Sequence, residues 1–201
     1  MSLTMNDKVL AEVFGPSEGV GLRVKQAALV IVGIAVLAIA AKIRVPMWPV
    51  PITMGTFAVL TIGAAYGPRL GLATMAGYLL VGGMGFDVFA GSSAEVSGLA
   101  YMMGGTGGYL VGYVLATVAL GYAARRSWDR TLLGMALALI VGNVLIYLPG
   151  LAWLSALYSD ASFSQILAWG LTPFLVGDVL KLALAALLVP GIWTLIGRAR
   201  T

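Results

Sequence analysis

Two charged residues lie inside an otherwise apolar stretch near the end of the chain. Asp178 and Lys181 occur in the run Gly177-Asp178-Val-Leu-Lys181, and a spacing of three residues places both side chains on one face of a helix. An ionisable side chain at membrane depth costs about 3 kcal/mol unless it is paired or meets water, so such residues mark functional sites by default. The pair indicates either a site for a polar ligand or an internal salt bridge that stabilises a helix bundle.

A proline-rich segment at 44–52 separates two apolar segments. It contains Pro46, Pro49 and Pro51 together with Trp48. Prolines at this density exclude a helix, and backbone without internal hydrogen bonds must be buried in protein or line a cavity at membrane depth. We predict either a lid over a ligand or a rigid surface connector that Trp48 anchors at the membrane interface.

Further polar residues could contact a ligand. Asn143 and Tyr147 are four residues apart, on one face of a predicted helix, and Asn143 could bond to a neighbouring helix or to a ligand. Ser92 and Ser93 lie in a predicted outward loop at 85–103. The glycine-rich run after this loop lacks the Gly-Lys-Ser/Thr of a P-loop, which disfavours nucleotide binding.

Two absences limit the chemistry. The chain contains no histidine and no cysteine, which excludes imidazole bases, disulfides and metal sites built on either residue. A nucleophile at Ser92 or Ser93 would depend on Lys181, remote in sequence, as its base, and no G-x-S-x-G motif occurs. We therefore predict neither an enzyme nor a bound cofactor or metal.

The elements that must position these residues are membrane helices. Of the 201 residues, 60% are hydrophobic and 10% charged, whereas about 25% are charged in a soluble domain. A helix needs about 20 predominantly apolar residues to cross a bilayer. We predict an all-α, multi-pass membrane protein with a cytosolic leader at 1–24 and one compact six-helix domain at 25–201. The spans are predicted at 25–43, 53–66, 70–84, 104–124, 131–148 and 172–196.

Basic residues predict the orientation. If both termini are cytoplasmic, nine lysines and arginines lie inside and two outside, as the positive-inside rule requires. The inner set is Lys8, Arg23, Lys25, Arg69, Arg125, Arg126, Arg130, Arg198 and Arg200; the outer set is Lys42 and Arg44. The net charge of +4 is too small to indicate nucleic-acid binding.

Small residues recur at four-residue spacing in the fourth and fifth predicted spans. Such ridges allow helices to pack closely in lipid. They are Gly104, Gly108, Gly112 and Ala116 in one span and Gly134, Ala138 and Gly142 in the next.

Several segments, taken in this order, resemble the BioY family, whose members are the biotin-binding S components of energy-coupling-factor (ECF) vitamin transporters. The segments are VPMWPVPIT, YGPRLG with GYLLVGGMGFDVFAG, GGTGGYL and TPFLVGDVLKLALAALLVP. The resemblance covers about residues 25–196. It implies the S-component fold, with six helices and cytoplasmic termini, in the cytoplasmic (inner) membrane of a bacterium or archaeon. It also implies a biotin site near the outer surface, beneath the loop between the first two helices.

The resemblance implies roles for particular residues and partners. Asp178 would accept the ureido N–H groups of biotin, and Lys181 would keep Asp178 ionised and donate to the ligand's carbonyl or its carboxylate. The other predicted ligand contacts are Asn143, Tyr147, Ser92, Ser93, Phe89, Tyr101 and Thr53, with Trp48 and Trp153 as further candidates for an apolar wall. Because the chain has no ATP-binding signature, the implied partners are a transmembrane coupling protein and two ATPase subunits. Function without a dedicated module, and a homo-oligomer, are both left open.

Three positions depart from the family pattern. Gly55 stands where the family has Gln, and Asp87 and Gly105 stand where it has Pro. The first span also lacks the AxxxA ridge with which S components dock the coupling protein. The alternative function is a scaffolding bundle in which the Asp178–Lys181 pair is purely architectural.

Overall fold

The computed structural model describes residues 8–45, 50, 52–93 and 95–198, and within them the chain is almost entirely helical. The predicted lid residues Pro46, Trp48, Pro49 and Pro51 lie outside these ranges. The helices are α1 (Gly19–Lys42), α2 (Gly55–Gly83), α3 (Gly98–Met102), α4 (Gly107–Arg125), α5 (Leu132–Leu157), α6 (Phe163–Gly170) and α7 (Leu175–Arg198). Two short strands, β1 (Arg44–Val45) and β2 (Ile52–Thr53), pair antiparallel. The predicted all-α class is confirmed.

Helix α2 is divided at Gly67, where the sequence Gly67-Pro68 predicts a break. The backbone there has φ 76° and ψ 176°, a conformation essentially restricted to glycine. The segments 55–66 and 68–83 fold back on each other, since a Cβ on Gly71 would lie 3.7 Å from the Cα of Gly63. Gly55 and Tyr78, at the far ends of the two segments, line the same cavity. Helix α2 is therefore a helical hairpin that supplies two of the predicted apolar segments.

Four helical runs of the described chain are long and apolar enough to cross a membrane. These are Gly19–Lys42, Gly107–Arg125, Leu132–Leu157 and Phe163–Gly197, the last of which contains α6 and α7. Each half of α2 is shorter than the roughly 20 residues that a full crossing needs. The chain is thus a multi-pass membrane protein, while six spans and cytoplasmic termini stay predictions.

Four helix boundaries differ from the predicted ones by three residues or more; one is the start of α7, at Leu175 instead of residue 172. Helix α5 continues through Pro149 to Leu157, although an outward loop was predicted from residue 149. A membrane helix can continue through a proline, which lacks the backbone donor, where neighbouring helices pack closely against it. Helix α4 packs in this way, since a Cβ on Gly108 would lie 2.2 Å from the Pro149 carbonyl oxygen. Helix α4 begins at Gly107, so the placement of Gly104 on its ridge is wrong. Helix α1 begins at Gly19, inside the predicted leader.

Glycines allow α4 and α5 to approach closely. A Cβ on Gly112 would lie 2.6 Å from the Cα of Ile146 in α5, and a Cβ on Gly142 would lie 2.5 Å from a methyl of Leu120 in α4. Larger residues would push these helices apart. Of the other predicted packing residues, Ala138 is buried, and Gly134 lies against the backbone of Trp128 in the turn before α5.

The two ends of the bundle differ chemically. At the predicted cytoplasmic end, the Arg125 guanidinium donates to both carboxylate oxygens of Glu12 at 2.5 and 2.7 Å. At the same end, Arg130 donates to the carbonyl of Lys8 at 2.8 Å. The opposite end holds an aromatic cavity with one buried ion pair, and this cavity is the candidate site.

Candidate ligand-binding site

Helix α7 presents the two charged residues of the cavity from one face. The Lys181 ammonium donates to Oδ1 of Asp178 at 2.9 Å and to the hydroxyl of Thr56 at 3.2 Å. The Tyr147 hydroxyl donates to the other carboxylate oxygen of Asp178. The Asp178 and Lys181 side chains are only 7% and 11% exposed, so α2, α5 and α7 converge on a shielded ion pair. Hydrogen bonds to charged groups are strongest in such surroundings.

The ion pair keeps spare hydrogen-bonding capacity. A carboxylate has about four lone-pair positions and an ammonium about three donors, and the described contacts use two of each. The site can therefore accept N–H groups and donate to a carbonyl of one ligand. Within the part of the chain that the structure describes, no group of three or more His, Cys, Asp or Glu side chains is placed to hold a metal ion.

The departure at Gly55 makes room beside the ion pair. The Gly55 amide donates to the Thr53 hydroxyl at 2.9 Å. A Cβ on Gly55 would lie 2.9 Å from that hydroxyl oxygen and 3.2 Å from the hydroxyl of Tyr113. A side chain at position 55 would thus displace Tyr113, which lines the polar end of the cavity.

Aromatic rings form one wall of the cavity. Phe89 stacks on Tyr101 with ring centroids 5.1 Å apart and meets Tyr78 edge-on at 5.3 Å. The Tyr78 hydroxyl donates to the carbonyl of Val88, and the Tyr101 hydroxyl accepts from the amide of Gly91. The loop backbone accepts the proton of Tyr78, while the Tyr101 hydroxyl can still donate. The wall therefore offers the cavity mainly apolar ring surface.

A second group of rings stands on the other side. Tyr147 meets Tyr109 edge-on at 6.1 Å and lies 6.4 Å from Phe174. The Tyr109 hydroxyl donates to the Gly170 carbonyl at 2.7 Å, which ties α4 to the end of α6. The cavity is therefore aromatic on two sides and charged at one end.

Three residues, which we call the loop clamp, hold the Phe89 wall against α1: Lys42, Asp87 and Ser92. The Lys42 ammonium donates to Asp87 at 2.5 Å and to the Phe89 carbonyl at 2.8 Å, and the Ser92 hydroxyl donates to Asp87 at 2.6 Å. The hydrogen bond from Lys42, with that from Ser92, lowers the pKa of the Asp87 carboxyl below its ordinary range. Asp87, where the resemblance led us to expect proline, thus ties this loop to Lys42 of α1.

The structure brings together most of the predicted ligand residues but not all of them. Ser92 lies behind Phe89 and its hydroxyl serves the loop clamp, while Ser93 is exposed and accepts from the amide of Val96. The Oδ1 atom of Asn143 is buried without a hydrogen-bond partner among the described residues, and Asn143 lies away from the cavity surface, one turn beyond Tyr147. The predicted residues that do line the cavity are Asp178, Lys181, Tyr147, Phe89, Tyr101 and Thr53. Trp153 does not line the cavity; its indole donates to the Gly104 carbonyl at 2.9 Å.

The sequence did not single out several lining residues: Tyr78, Tyr109, Tyr113, Phe174 and Thr56. Tyr109 and Tyr113 are four residues apart in α4, a spacing that puts both rings on one helix face. That spacing was the one available signal, because an isolated aromatic residue in an apolar helix is more often a packing or interface residue.

The fold defines the class of protein. It is similar to the crystal structure of the S-component for biotin from an ECF-type ABC transporter, with a TM-score of 0.75, 21% identity, and coverage of 89% of this chain and 95% of that one. The chain itself belongs to the BioY family, which matches residues 9–198. A probable biotin transporter of Pyrococcus horikoshii is 33% identical over 83% of this chain and 95% of its own length. A biotin transporter of Thermotoga maritima is 31% identical, covering 77% and 87% respectively. The family assignment from sequence is confirmed.

Proposed function

We propose that this chain is the biotin-binding membrane subunit of a biotin uptake system. The observation that carries the proposal is the cavity that combines the buried Asp178–Lys181 pair with aromatic walls. Biotin matches it, since its ureido ring offers N–H donors and a carbonyl and its fused ring is apolar. Membership of a transporter family makes the chain a transport protein and not an enzyme.

The ureido ring is placed at the polar end of the cavity. Asp178 accepts its N–H groups and Lys181 donates to its carbonyl. The reverse orientation would bring the ligand carboxylate to an ammonium that already lies 2.9 Å from Asp178, so two carboxylates would face each other and repel. The carboxylate therefore points towards Ala41 and Ala90, which line the cavity. Lys42 follows Ala41 in the chain, and Arg44 donates to the carbonyl of Ala90.

The segment that contains Pro46, Trp48, Pro49 and Pro51 is the proposed lid. Two observations on its flanks support this. The strands β1 and β2, which bracket the segment, pair with each other, and Val50 and Thr53 line the cavity. A proline-stiffened lid loses little conformational entropy when it closes.

The proposed source of energy for uptake lies outside this chain. We propose a transmembrane coupling protein and two ATPase subunits as partners in the cytoplasmic membrane. The similarity of the fold to an S-component supports this proposal. Reconstitution in vesicles with and without such a module, followed by ATP-dependent uptake of labelled biotin, tests it.

A binding titration of the detergent-purified chain tests the function. Biotin should bind, desthiobiotin should bind more weakly because it has lost apolar ring contact, and a ligand without the ureido group should not bind. A scaffolding bundle would bind none of them. Biotin amide tests the orientation: its affinity relative to biotin should be the same in Lys181→Met as in the natural chain. If Lys181→Met abolishes the preference for the free acid, Lys181 meets the carboxylate instead.

A further inference from the structure

We propose that a basic cleft at the end of the bundle opposite the cavity binds the phosphate group of an anionic phospholipid. The cleft lies between the N-terminal segment, the first turns of α1, the second half of α2 and the end of α4. Its charged lining residues are Lys25, Arg69, Arg125 and Glu12.

The charges of the cleft do not balance. Glu12 neutralises Arg125 through two hydrogen bonds. Within the described part of the chain, the Lys25 ammonium donates to a backbone carbonyl, that of Phe14, at 2.5 Å and meets no carboxylate. Arg69 has no hydrogen bond or ion pair with the described residues. Among the described residues, neither Lys25 nor Arg69 is paired with a carboxylate, and a phosphate would neutralise both while accepting charged hydrogen bonds.

The local backbone sets Arg69 in this position. The conformation of Gly67 turns the chain back at the end of the first half of α2, and Pro68 begins the second half, so Arg69 lies in its first turn. A Cβ on Gly67 would lie 3.7 Å from Nε of Arg125. The turn of the α2 hairpin thus brings a second guanidinium to the side of the cleft that Arg125 already occupies.

Apart from Gln26 and the hydroxyl of Tyr66, the remaining lining of the cleft is apolar. Leu22 and Leu29 of α1 face Leu70 and Ala73 of α2 across it, in two stripes at helical spacing. Most of the membrane-spanning part of α1 is exposed in this chain, so the groove is open to the bilayer. An acyl chain fits such a groove below a headgroup held by Lys25 and Arg69, whereas a free phosphate ion would make no use of the apolar stripes.

The location of the cleft agrees with this ligand. It lies at the end that carries most of the basic residues, which the positive-inside rule places in the cytoplasm. The cytoplasmic leaflet is the one rich in anionic lipid, and basic pockets between membrane helices on that side bind anionic headgroups.

Native mass spectrometry of the detergent-solubilised chain tests the proposal. Phosphatidylglycerol and phosphatidylcholine with identical acyl chains are offered in equal amounts, and the ratio of the two bound lipids is measured. The double variant Lys25→Gln/Arg69→Gln is compared with Arg23→Gln/Arg126→Gln, which removes the same charge from exposed positions outside the cleft. Biotin binding in each variant verifies the fold, and Lys25→Arg/Arg69→Lys keeps the cleft charges.

We expect the natural chain to prefer phosphatidylglycerol, and the cleft double variant to lose about fivefold of that preference per cation removed. The control and the charge-preserving variant should keep it. If both glutamine variants lost the same preference for phosphatidylglycerol, overall surface charge would explain the effect and the proposal would be overturned. Displacement of phosphatidylglycerol by millimolar inorganic phosphate would also overturn it, since that would identify the cleft as a site for the free ion.

Discussion

Asp178 and Asp129 are two buried aspartates of this bundle, and their surroundings differ in one respect that matters for function. Counted over the whole residue, Asp178 is 5% exposed and Asp129 is 1% exposed. Both have a basic residue and an aromatic donor beside them: Lys181 and Tyr147 for Asp178, Arg130 and Trp193 for Asp129. The residues around Asp178 line a cavity, whereas the indole and the guanidinium close over Asp129.

The Asp129 cluster is closed by a cation–π contact. The Trp193 indole donates to Asp129 at 2.6 Å, and the Arg130 guanidinium lies 3.4 Å above the same indole ring. Asp178 and Trp193 belong to one helix and are about 22 Å apart at roughly 1.5 Å per residue. A buried, paired aspartate therefore does not by itself identify a ligand site; a cavity beside its unused lone pairs is also needed.

The largest expected effect is on biotin affinity when the two aspartates are replaced separately. Asp178→Asn should weaken binding about 10- to 150-fold, because a charged hydrogen bond is worth about 1.5–3 kcal/mol. Asp129→Asn should change affinity less than about twofold, since Asp129 lies at the far end. Calorimetric titration of both variants measures the contrast, and similar losses in the two would remove the distinction between the ends.

The aromatic neighbours of the two aspartates sharpen the comparison. Phe89→Ala should lower biotin affinity about tenfold by removing a ring from the cavity wall. Trp193→Phe should leave affinity unchanged and lower the melting temperature, because Asp129 loses its donor. Phe86→Ala is the control, as Phe86 lies in the same loop as Phe89 but is exposed. A loss of biotin affinity in Trp193→Phe would show that the two ends of the bundle are coupled.

The loop clamp should have a smaller effect. The Lys42 and Asp87 side chains are 35% and 60% exposed, and exposed ion pairs contribute about 0.2–1 kcal/mol. Asp87→Asn should therefore weaken biotin binding about 1.4- to 5-fold. Glu95→Gln removes the same charge from an exposed position in that loop and should have no effect. Equal affinities in the two variants would show that the clamp does not position Phe89.

The smallest expected effect is the pH dependence of stability that Asp129 causes. Burial raises the pKa of the Asp129 carboxyl above its ordinary range, against the opposing effects of Trp193 and Arg130. The folded state then binds this proton more tightly than the unfolded state, so protonation of Asp129 stabilises the fold and its ionisation destabilises it.

The destabilisation by ionised Asp129 is fully present above the raised pKa, and it fades as the pH falls through that pKa towards the ordinary value. Asp129→Asn keeps an acceptor for Trp193, so it should melt at or above the temperature of the natural chain at pH 7. A change of 1 kcal/mol in the free energy of unfolding shifts the melting temperature by about 2–4 °C. This advantage should shrink as the pH approaches 4. An advantage that grows on acidification would contradict the sign of the shift.

The sequence predicted those parts of the fold and site that depend on hydropathy. Asp178 and Lys181 stand out because charges are rare in an apolar segment, and Gly67-Pro68 marks the turn of the α2 hairpin. Helix α5 beyond Pro149 could not be predicted, because packing against Gly108 decides whether a membrane helix continues through proline. Three of the cavity tyrosines, Tyr78, Tyr109 and Tyr113, were missed because such a residue resembles any buried aromatic residue until its neighbours are known. The role of Asn143 stays a prediction, since its polarity is visible in the sequence but the direction of its side chain is not.

The most direct measurement of the central claim combines two substitutions in α7. Asp178→Asn and Lys181→Met each strand a buried charge and should lower the melting temperature, and the double variant should recover stability because no unpaired charge remains. If the pair binds biotin, the stable double variant still binds at least about tenfold more weakly than the natural chain. A double variant that is stable and binds biotin with full affinity would show that the pair is architectural and that the ligand binds elsewhere.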